Sequence, residues 1–521
     1  MERTGFSKDD SLIIKGLAIL TIMLHNLFHW VPPFTGENEF SFAAERVSLF
    51  TNLLTKQPQH FINIAFSFLG HFGVQVFIMI SGYGLTKSML NKPQNWAPFM
   101  GSRLKKIYPL LIVAILAYTA TTFIITKQMP AFDVWREICR KLLLIHTLIP
   151  NSGLSVCGPW WFFGLIVQLY VLFPILLHMT KLYGTKTLAI TIVLSYIWIF
   201  TALYNYDHPK GDLLSMQNSI GHLPEFCFGI WLALTPRKIS NWWLLPALIV
   251  FGLGNIYQSF YPFTFLAVCI VFVIIYDIVR KPITSHVIVR RPIAFLGSVS
   301  MFLFAVHGFL REPFLNLASS SNAAIGLLAA IMFIATSIAI AIVIRPLYNL
   351  IVKMFDKIKS PTWLPKANKF IMGGTLLLLA FAGYHQATMT FFHKTIELTQ
   401  NEDSKQILFV TEDTITADKL YTNVARINLG RSNYIKISVD AEINSQETPA
   451  NQLPLIVSDI TGIFCDKCYM PATNDFQQVH YETTISGPFF YHFNSTTFKV
   501  YFWNNKSSSM MFRNARINIT Y

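Results

Sequence analysis

The chain has 521 residues, of which 53% are hydrophobic and only 13% are charged, and its mean hydropathy is +0.45. Soluble domains carry about 25% charged residues, so this composition excludes a purely soluble enzyme, a disordered protein and a nucleic-acid-binding domain. The net charge of +14 is unevenly distributed: residues 1–389 hold 30 Lys and Arg against 14 Asp and Glu, and residues 390–521 hold 11 against 13. The excess positive charge lies in the apolar region, where membrane proteins use it for orientation.

Eleven apolar segments are long enough to be membrane-spanning helices, since a hydrocarbon core of about 30 Å needs about 20 apolar residues. They cover residues 11–31, 61–86, 107–126, 160–180, 187–204, 220–235, 242–258, 263–280, 294–318, 324–345 and 370–389. The sixth is short and contains Pro224 and Glu225. The first is too long for a signal peptide and has no small-residue cleavage site, so we expect it to be retained.

The loops between these segments predict the orientation of the chain. With a cytoplasmic N-terminus, all five inside loops are basic, whereas most outside loops are short or of mixed charge. The exception is the basic loop 127–158, in which residues 132–149 are expected to form an amphipathic segment on the outer surface. An odd number of spans then places the C-terminal region outside.

Residues 391–521 form a separate domain by sequence pattern. Polar and apolar residues alternate there, as in Tyr434-Ile-Lys-Ile-Ser-Val-Asp440 and Thr497-Phe-Lys-Val-Tyr-Phe-Trp503. Alternation with β-branched and aromatic residues predicts strands, and a small antiparallel β-sandwich is the expected fold. Cys465 and Cys468 are predicted to form a disulfide outside the cytoplasm; a redox pair is the alternative.

The predicted fold class is therefore an all-α polytopic membrane bundle of about eleven helices, followed by an extracytoplasmic all-β sandwich. Residues 1–350 hold the first ten spans, residues 351–390 form a basic cytoplasmic linker with the eleventh, and residues 391–521 form the sandwich. No cysteine and histidine spacing typical of a metal site is present, so no metal is expected.

Polar residues recur at one depth, in the predicted outer half of several spans. Ionisable groups within a membrane are costly and usually functional. Although a lone histidine is more often structural, convergence at one depth indicates a lined cavity. The residues concerned are His25, His29, His71, Trp160, Trp161, Gln168, His222, Glu225, His307, Arg311 and Glu312. The two tryptophans have an alternative interpretation as interfacial belt residues.

A second polar set lies toward the cytoplasmic side. Lys15 is about 15 Å from His25 along a helix that rises 1.5 Å per residue. Gly82 and Gly84 would allow close approach of a backbone or a ligand. The basic residues Arg103, Lys105 and Lys106 form a cluster that can hold phosphates, although ordinary positive-inside anchoring is the preferred interpretation of this cluster taken alone.

Five stretches within about residues 8–350 form a series of motifs. They are Ile14-Lys-Gly-Leu-Ala-Ile-Leu-Thr-Ile-Met-Leu-His25, Gly73-Val-Gln-Val-Phe-Ile-Met-Ile-Ser-Gly-Tyr-Gly84, Arg103-Leu-Lys-Lys-Ile-Tyr-Pro109, Trp160-Trp-Phe-Phe-Gly-Leu-Ile-Val-Gln-Leu-Tyr170 with Phe173-Pro174, and Gly297-Ser-Val-Ser-Met-Phe-Leu-Phe-Ala-Val-His307. In this order they resemble the motifs of acyltransferase family 3, whose integral-membrane enzymes acylate cell-surface glycans and lipids.

The resemblance implies a membrane O-acyltransferase, with acetyl-CoA or another acyl-CoA as donor and an extracytoplasmic glycan or lipid-linked glycan as acceptor. It implies a bacterial inner membrane as the location. The catalytic residues it implies are His25, His29, Asn26 and His307. The donor-binding residues are Lys15, Ser81, Gly82, Tyr83, Arg103, Lys105 and Lys106. The acceptor-binding residues are His71, Trp160, Trp161, Gln168, Glu225, Arg311 and Glu312. His25 would act as general base, with Asn26, Trp160, Arg311 or Lys15 as oxyanion donors.

The chain departs from the family pattern at three positions. The first-helix basic residue, commonly Arg, is Lys15, which lacks the bidentate fork. In the family, a histidine commonly lies eleven positions after this basic residue. In this chain Asn26 lies eleven positions after Lys15, and His25 lies ten positions after it. One position is about 100° of helix rotation, so His25, His29 and Asn26 all remain candidates for the pore. Gln168 stands where Glu is frequent and cannot act as a base.

Two other functions fit the sequence. Polar groups within spans also mark the substrate pathway of a glycan-lipid transporter or flippase, although paired broken segments of an inverted repeat are not evident. The departures favour a non-catalytic membrane scaffold. The alternation favours core packing for the aromatics of the C-terminal sandwich, such as Phe489-Phe-Tyr-His-Phe493 and Tyr501-Phe-Trp503. Binding of the acceptor glycan through exposed aromatics, or of a protein partner, is the alternative role of this domain.

Overall fold

A computed structural model describes two compact units, residues 1–199 with 213–377, and residues 378–521 with 200–212. The described residues are 5–36, 39–40, 42–149, 152–205, 216–235, 238–357, 373–375, 377, 380, and 394–521 without 417, 420, 429–433, 446–453, 460–464, 470–472, 487–496 and 505–508. Each unit is considered by itself.

The first unit is helical. Its helices are α1 Lys8–Phe28, α2 Ala44–Lys56, α3 Phe61–Leu69, α4 Gly73–Asn91, α5 Trp96–Thr126, α6 Phe132–Leu142, α7 Trp161–Tyr183, α8 Lys186–Asn205, α9 Leu223–Leu234, α10 Leu244–Ile256, α11 Thr264–Ser285, α12 Val287–Leu310, α13 Leu315–Ala318 and α14 Ala323–Asp356. Among the described residues, seven helical stretches are long and apolar enough to cross a membrane, and three shorter ones are apolar. The predicted eleventh span, 370–389, lies largely outside the described residues, so the count of eleven stays a prediction.

Several predicted spans differ from the helices in the structure. The second is divided, because α3 and α4 are separated by a 3₁₀ turn over Gly70–Phe72. The ninth ends early: α12 stops at Leu310 and a 3₁₀ turn with Pro313 follows, since proline has no N–H to continue an α-helix. The third begins early, so that Arg103, Lys105 and Lys106 lie within α5 rather than in a loop.

Pro224, which interrupts the sixth predicted span in the sequence, begins a helix. It lies in the first turn of α9, just after a 3₁₀ turn over Ile220–His222. The first turn of a helix tolerates proline because the N–H there has no intrahelical acceptor. The span is therefore helical but short.

Helices α1 and α12 cross at close range. A Cβ atom at Gly16 would collide with the carbonyl oxygen of Ile293, and one at Gly297 would collide with that of Leu12. Both glycines therefore permit backbone contact between the two helices. This contact fixes the positions of Lys15 and His25 relative to the residues that α12 contributes.

A buried carboxylate fixes the beginning of α1. Asp10 and Ser7 form a reciprocal capping box, in which each side chain accepts a hydrogen bond from the other's backbone N–H. Asp10 also accepts hydrogen bonds from the hydroxyl of Tyr276 and the Nε of Arg280, each at 2.8 Å, and a further one from Nη2 of Arg280. These bonds join α1 to α11.

We expect the substitution Asp10→Asn to lower the free energy of unfolding by about 3 kcal/mol, because removing one partner of a buried ion pair leaves the other charge uncompensated. The measurement is thermal unfolding of the purified protein in detergent. Asp9→Asn is the matched control: Asp9 pairs with Arg290 at 3.3 Å on the exposed side, where such a pair contributes about 0–1 kcal/mol. Equal effects of the two variants would contradict the prediction.

The second unit is an antiparallel β-sandwich. Its strands are β1 Thr395–Leu398, β2 Glu402–Asp403, β3 Ile407–Phe409, β4 Asp413–Ile415, β5 Tyr421–Asn428, β6 Tyr434–Ser445, β7 Pro454–Asp459, β8 Cys465–Tyr469, β9 Thr473–Ser486, β10 Thr497–Trp503 and β11 Met510–Thr520. One sheet has the order β1-β11-β6-β9, with β4 also paired to β11, and the other has the order β2-β3-β5-β10-β7-β8. Alternate residues of both sheets form a single apolar core, which includes Ile437, Val439, Phe498 and Val500.

The strand assignment bears on the predicted disulfide. Cys465 and Cys468 both lie in β8, where Cys465 is paired with Ser458 and Cys468 with Leu455. In an extended strand, residues three apart are separated by about 10 Å and point to opposite faces, whereas a disulfide spans a Cα distance of less than about 7 Å. The strand therefore argues against this pairing. The side chain of Cys465 lies outside the described residues.

Candidate active site

A cavity of about 560 Å³ lies at the end of the bundle where α1 ends. We call it the His25 cavity. It is lined by Ile22, His25, Asn26, His29, Trp30, Glu39, Phe40, His71, Val74, Tyr118, Thr121, Thr122, Ile125, Thr126, Leu154, Val156, Cys157, Gly158, Pro159, Trp161, Phe304, Gly308, Phe309, Arg311 and Glu312. Its volume is within the usual range of ligand sites, about 300–1,000 Å³.

One face of α1 provides the polar wall of this cavity. Ile22, His25, Asn26 and His29 line it together, because residues at positions i, i+3, i+4 and i+7 share a helix face. His25 and Asn26 are thus both in the lining, although they are separated by one position. The ring of His25 stacks on His29 with centroids 4.6 Å apart, and meets the edge of His71 at 5.5 Å.

The backbone fixes the tautomer of His25. Its Nδ1 lies 3.0 Å from the carbonyl oxygen of Ser67, and a carbonyl oxygen only accepts hydrogen bonds. In the neutral imidazole, Nδ1 therefore carries the proton and Nε2 carries the lone pair. His29 has the same arrangement, since its Nδ1 lies 2.7 Å from the carbonyl oxygen of His25. Both imidazoles are thus oriented to accept a proton through Nε2.

Charged residues lie at the edge of the His25 cavity. Arg311 and Glu312 follow the end of α12 and line the cavity with Glu39. The guanidinium carbon of Arg311 is 4.7 Å from the ring centroid of Trp30, a cation–π contact. The termination of α12 before Pro313 is what puts these two side chains at the edge rather than inside a span.

The segment before α7 covers one side of the cavity and is fixed by α6. The ammonium group of Lys141 donates to the carbonyl oxygens of Ser152 and Gly153, at 3.3 and 3.0 Å. The carboxylate of Glu137 accepts from the hydroxyls of Ser152 and Ser155, at 2.5 and 3.1 Å. These bonds position the residues that follow, among them Cys157. The predicted amphipathic segment 132–149 thus begins with α6.

Cys157 is a buried thiol in the cavity lining, and burial raises its pKa to about 12. The thiolate is the nucleophilic form of cysteine, so the protonated thiol of Cys157 is a lining group rather than a candidate nucleophile.

A second cavity, of about 330 Å³, lies toward the other end of the bundle. We call it the Lys15 chamber. It is lined by Lys15, Phe77, Ile80, Ser81, Gly84, Leu85, Ser88, Arg103, Lys106, Ile107, Leu110, Phe162, Phe163, Ile166, Tyr170, Ser300, Met301 and Phe304. Three basic side chains thus stand in an otherwise mostly apolar wall. The guanidinium of Arg103 lies 5.1 Å from the ring centroid of Phe99 and 6.0 Å from that of Tyr170.

The same five helices line both cavities. Each of α1, α4, α5, α7 and α12 contributes one segment to the Lys15 chamber and another to the His25 cavity. In the direction of the chain, α1 passes the Lys15 chamber before the His25 cavity, and α4 passes the His25 cavity before the Lys15 chamber. Helices α5, α7 and α12 continue this alternation. The two spaces are therefore stacked along the bundle. Phe304 of α12 lines both of them.

Several predicted donor-binding residues have other roles. Gly82 packs against the carbonyl oxygen of Phe226, with no room for a Cβ atom. The hydroxyl of Tyr83 donates to the carbonyl oxygen of Phe6 at 3.2 Å. Lys105 forms an ion pair with Asp356 at 3.7 Å. Of the predicted set, Lys15, Ser81, Arg103 and Lys106 line the chamber.

Among the predicted acceptor-binding residues, His71, Trp161, Arg311 and Glu312 line the His25 cavity. The other predicted residues in this region make contacts within the fold. Trp160 donates from Nε1 to the carbonyl oxygen of Ala305 at 2.8 Å. Gln168 bridges Thr147 and the backbone N–H of Ser219. Glu225 lies 2.7 Å from Nδ1 of His222, and His307 directs Nδ1 at the carbonyl oxygen of Leu303 at 2.9 Å.

The lining residues that were not singled out from the sequence include Glu39, Tyr118, Cys157 and Phe304. Glu39 lies in the segment after α1, and its backbone carbonyl accepts a hydrogen bond from Tyr261 at 2.7 Å. The hydropathy pattern gives no signal for such positions. Within the described residues, no group of three or more His, Cys, Asp or Glu side chains is suited to a metal ion.

Comparison with known proteins places this bundle in a family. A family model described as "Acyltransferase domain" matches residues 12–345, more than half of the chain. A curated relative named "Regulator of hypoxia-inducible factor 1", from Caenorhabditis elegans, is 26% identical over 130 residues, which cover 23% of this chain and 26% of that protein. The alignment thus spans about a quarter of that relative. No solved structure matches the chain.

Proposed function

The chain belongs to the acyltransferase family, and from that premise we propose that it is a membrane O-acyltransferase. It transfers an acyl group, acetyl in the simplest case, from acyl-CoA to a hydroxyl of an extracytoplasmic glycan or lipid-linked glycan. The resemblance found in the sequence is confirmed at the level of the family. The donor, the acceptor and the direction of transfer are the proposal.

The observation that carries this proposal is the pair of stacked cavities with different chemistry. The Lys15 chamber has three basic side chains in a mostly apolar wall, which suits the phosphates and the uncharged arm of a CoA thioester. Its volume of about 330 Å³ has room for the narrow arm of CoA and not for the whole molecule. The His25 cavity offers imidazoles oriented to accept a proton, as acyl transfer to a hydroxyl requires.

In this reaction the acceptor binds in the His25 cavity and presents its hydroxyl to Nε2 of His25. As the oxygen attacks the acyl carbon, the proton passes to Nε2. The C–S bond then breaks, and His25 returns the proton to the leaving thiolate, so that CoA leaves as a thiol. General-base assistance of this kind contributes about 10²–10⁴ in rate.

The oxyanion of the tetrahedral intermediate needs hydrogen-bond donors. Asn26 and Arg311 line the cavity with His25, and they are the proposed donors. Asn26 uses one amide hydrogen on the carbonyl oxygen of Ile22 at 3.0 Å, which leaves its second one for the substrate. Trp160 is less suited, because its N–H is directed at Ala305. Lys15, ten residues before His25, belongs to the other chamber.

The distribution of basic residues supports the direction of transfer. The basic loops that the sequence predicts to be cytoplasmic support a cytoplasmic position for the Lys15 chamber, where acyl-CoA is available. The His25 cavity is then on the outer side of the inner membrane. In this arrangement the acyl group crosses the bundle while CoA stays in the cytoplasm.

The β-sandwich is proposed to bind the acceptor. The predicted aromatic run 489–493 lies outside the described residues, and Phe502 belongs to the sandwich core. A groove of about 930 Å³, with a mostly polar lining from β1, β6, β9, β11 and nearby loops, is a more suitable surface for a sugar chain; it includes Glu397, Asp440, Glu442, Gln478 and Asn518.

Deletion of residues 391–521 should weaken acceptor use and leave acyl-CoA binding intact. Unchanged acceptor preference would contradict the acceptor-binding role of the β-sandwich.

The function is tested with purified protein and labelled acetyl-CoA, with membrane glycolipid extract as acceptor. We expect saturable binding of the donor and transfer of the label to the extract. Binding without transfer would favour the scaffold interpretation. An absence of both donor binding and transfer, together with movement of glycolipid between leaflets, would favour the transporter.

A further inference from the structure

Phe304 occupies the boundary between the two cavities. Its side chain lines both the Lys15 chamber and the His25 cavity, and it is 6% exposed. Its ring lies 4.8 Å from that of Phe162, centroid to centroid, and 5.6 Å from that of His307. Phe162 lines the Lys15 chamber as well. An aromatic pair thus stands where a path from one cavity to the other would pass.

We propose that Phe304 is a gate between the two cavities. In the proposed closed position, the ring of Phe304 separates the Lys15 chamber from the His25 cavity. In the open position, its ring moves aside and the acyl-bearing arm of the donor passes. That the acyl-bearing arm passes the gate depends on the proposed function. That Phe304 separates the two cavities is inferred from geometry alone.

The residues around Phe304 permit this movement. In a helix, phenylalanine has two common χ1 rotamers, near 180° and −60°, which direct the ring over the preceding turn. The residues three and four positions before Phe304 are Met301 and Ser300, and both line the Lys15 chamber. The turn over which the ring lies therefore borders the Lys15 chamber. Phenylalanine has no polar group, so no hydrogen bond has to be broken.

A gate solves a problem that two stacked cavities create in a membrane. A continuous wet path through the bundle would conduct small ions. Hydrophobic constrictions close such paths by excluding water. The same closure keeps water of the His25 cavity away from a donor thioester in the chamber, so hydrolysis without transfer is suppressed.

The gate is tested with three substitutions of Phe304. Phe304→Ala removes the ring, Phe304→Leu is a smaller change that preserves packing, and Phe304→Trp enlarges the ring. Phe302→Ala is the matched control, because Phe302 is two positions away and contacts Tyr348 of α14, at 5.0 Å between centroids.

The first measurement is efflux of a small cation from sealed proteoliposomes without substrate. We expect Phe304→Ala to raise the efflux at least tenfold over the native protein and over Phe302→Ala, with a smaller increase for Phe304→Leu. Native efflux from all variants would overturn the proposed separation. This readout does not depend on enzymatic activity.

The second measurement compares donor binding with transfer. Phe304→Trp should lower kcat at least tenfold while the Kd for acetyl-CoA stays within twofold, and Phe304→Ala should increase hydrolysis without acceptor. If the native protein transfers acyl groups and all Phe304 variants have the native efflux and the native kcat, the gate is refuted and the proposed function stands. A native protein without transfer whose Phe304→Ala variant leaks would refute the proposed function and support the separation.

Discussion

Replacement of His25 by alanine should lower the rate of acyl transfer by about 10²–10⁴, the usual contribution of a general base. His25 lines the cavity, and the carbonyl oxygen of Ser67 orients its Nδ1 so that Nε2 is the accepting nitrogen. The Lys15 chamber, where the donor is proposed to bind, does not include His25, so the Kd for acyl-CoA should stay within a few-fold. The measurement is mass spectrometry of the acylated acceptor at equal protein expression.

The control for this prediction is His29→Ala in parallel. His29 stacks on His25 and donates to its backbone, so its loss should reduce transfer less, through the orientation of His25. Transfer by His25→Ala at the native rate would remove His25 from the mechanism. The reverse order of the two effects would identify His29 as the base.

Replacement of Arg103 by alanine should weaken acyl-CoA binding by about 10- to 100-fold. A hydrogen bond to a charged group contributes about 1.5–3 kcal/mol, and Arg103 is one of three basic residues in the Lys15 chamber. Arg103→Lys should give an intermediate effect, since lysine keeps the charge and loses the planar group that stacks on Phe99 and Tyr170. The Kd is measured by binding of labelled acetyl-CoA to the purified protein.

Lys105→Ala is the matched control in the same helix. Lys105 lies two positions from Arg103 and pairs with Asp356 at 3.7 Å. If positive charge near the membrane surface were sufficient for donor binding, both alanine variants would weaken it equally. We expect the Lys105 variant to bind within about twofold of the native protein, and equal losses would contradict the assignment of the chamber.

The architecture was predictable wherever one local signal decides it. Hydropathy indicates long apolar helices, and period-two alternation predicts the strands of the C-terminal unit. The ends of helices were less predictable, because they depend on single residues in context. Pro313 ends α12, whereas Pro224 begins α9. The turn over Gly70–Phe72 packs closely against α1, since a Cβ at Gly70 would meet the Cβ of His25, and such a tertiary contact has no local signal in the sequence.

The site was predictable where its residues share one helix face. His25, Asn26 and His29 line one cavity because they follow the period of α1, so the offset of one position from the family pattern keeps a polar group in the lining. Gln168 and Trp160 are polar residues of predicted spans as well, but their hydrogen-bond partners come from distant segments, so the sequence pattern does not reveal that they are structural. The sequence pattern does not indicate Phe304 as a functional residue, because its position between two cavities depends on how five helices pack.

The most direct test of the account is whether an acyl group crosses the membrane through this protein. The protein is reconstituted with one orientation into sealed vesicles, with labelled acetyl-CoA on the side of the Lys15 chamber and acceptor on the side of the His25 cavity. We predict label on the acceptor while CoA stays on its own side, and no label when donor and acceptor are exchanged. Labelling only when both substrates share one side would contradict transfer through the bundle.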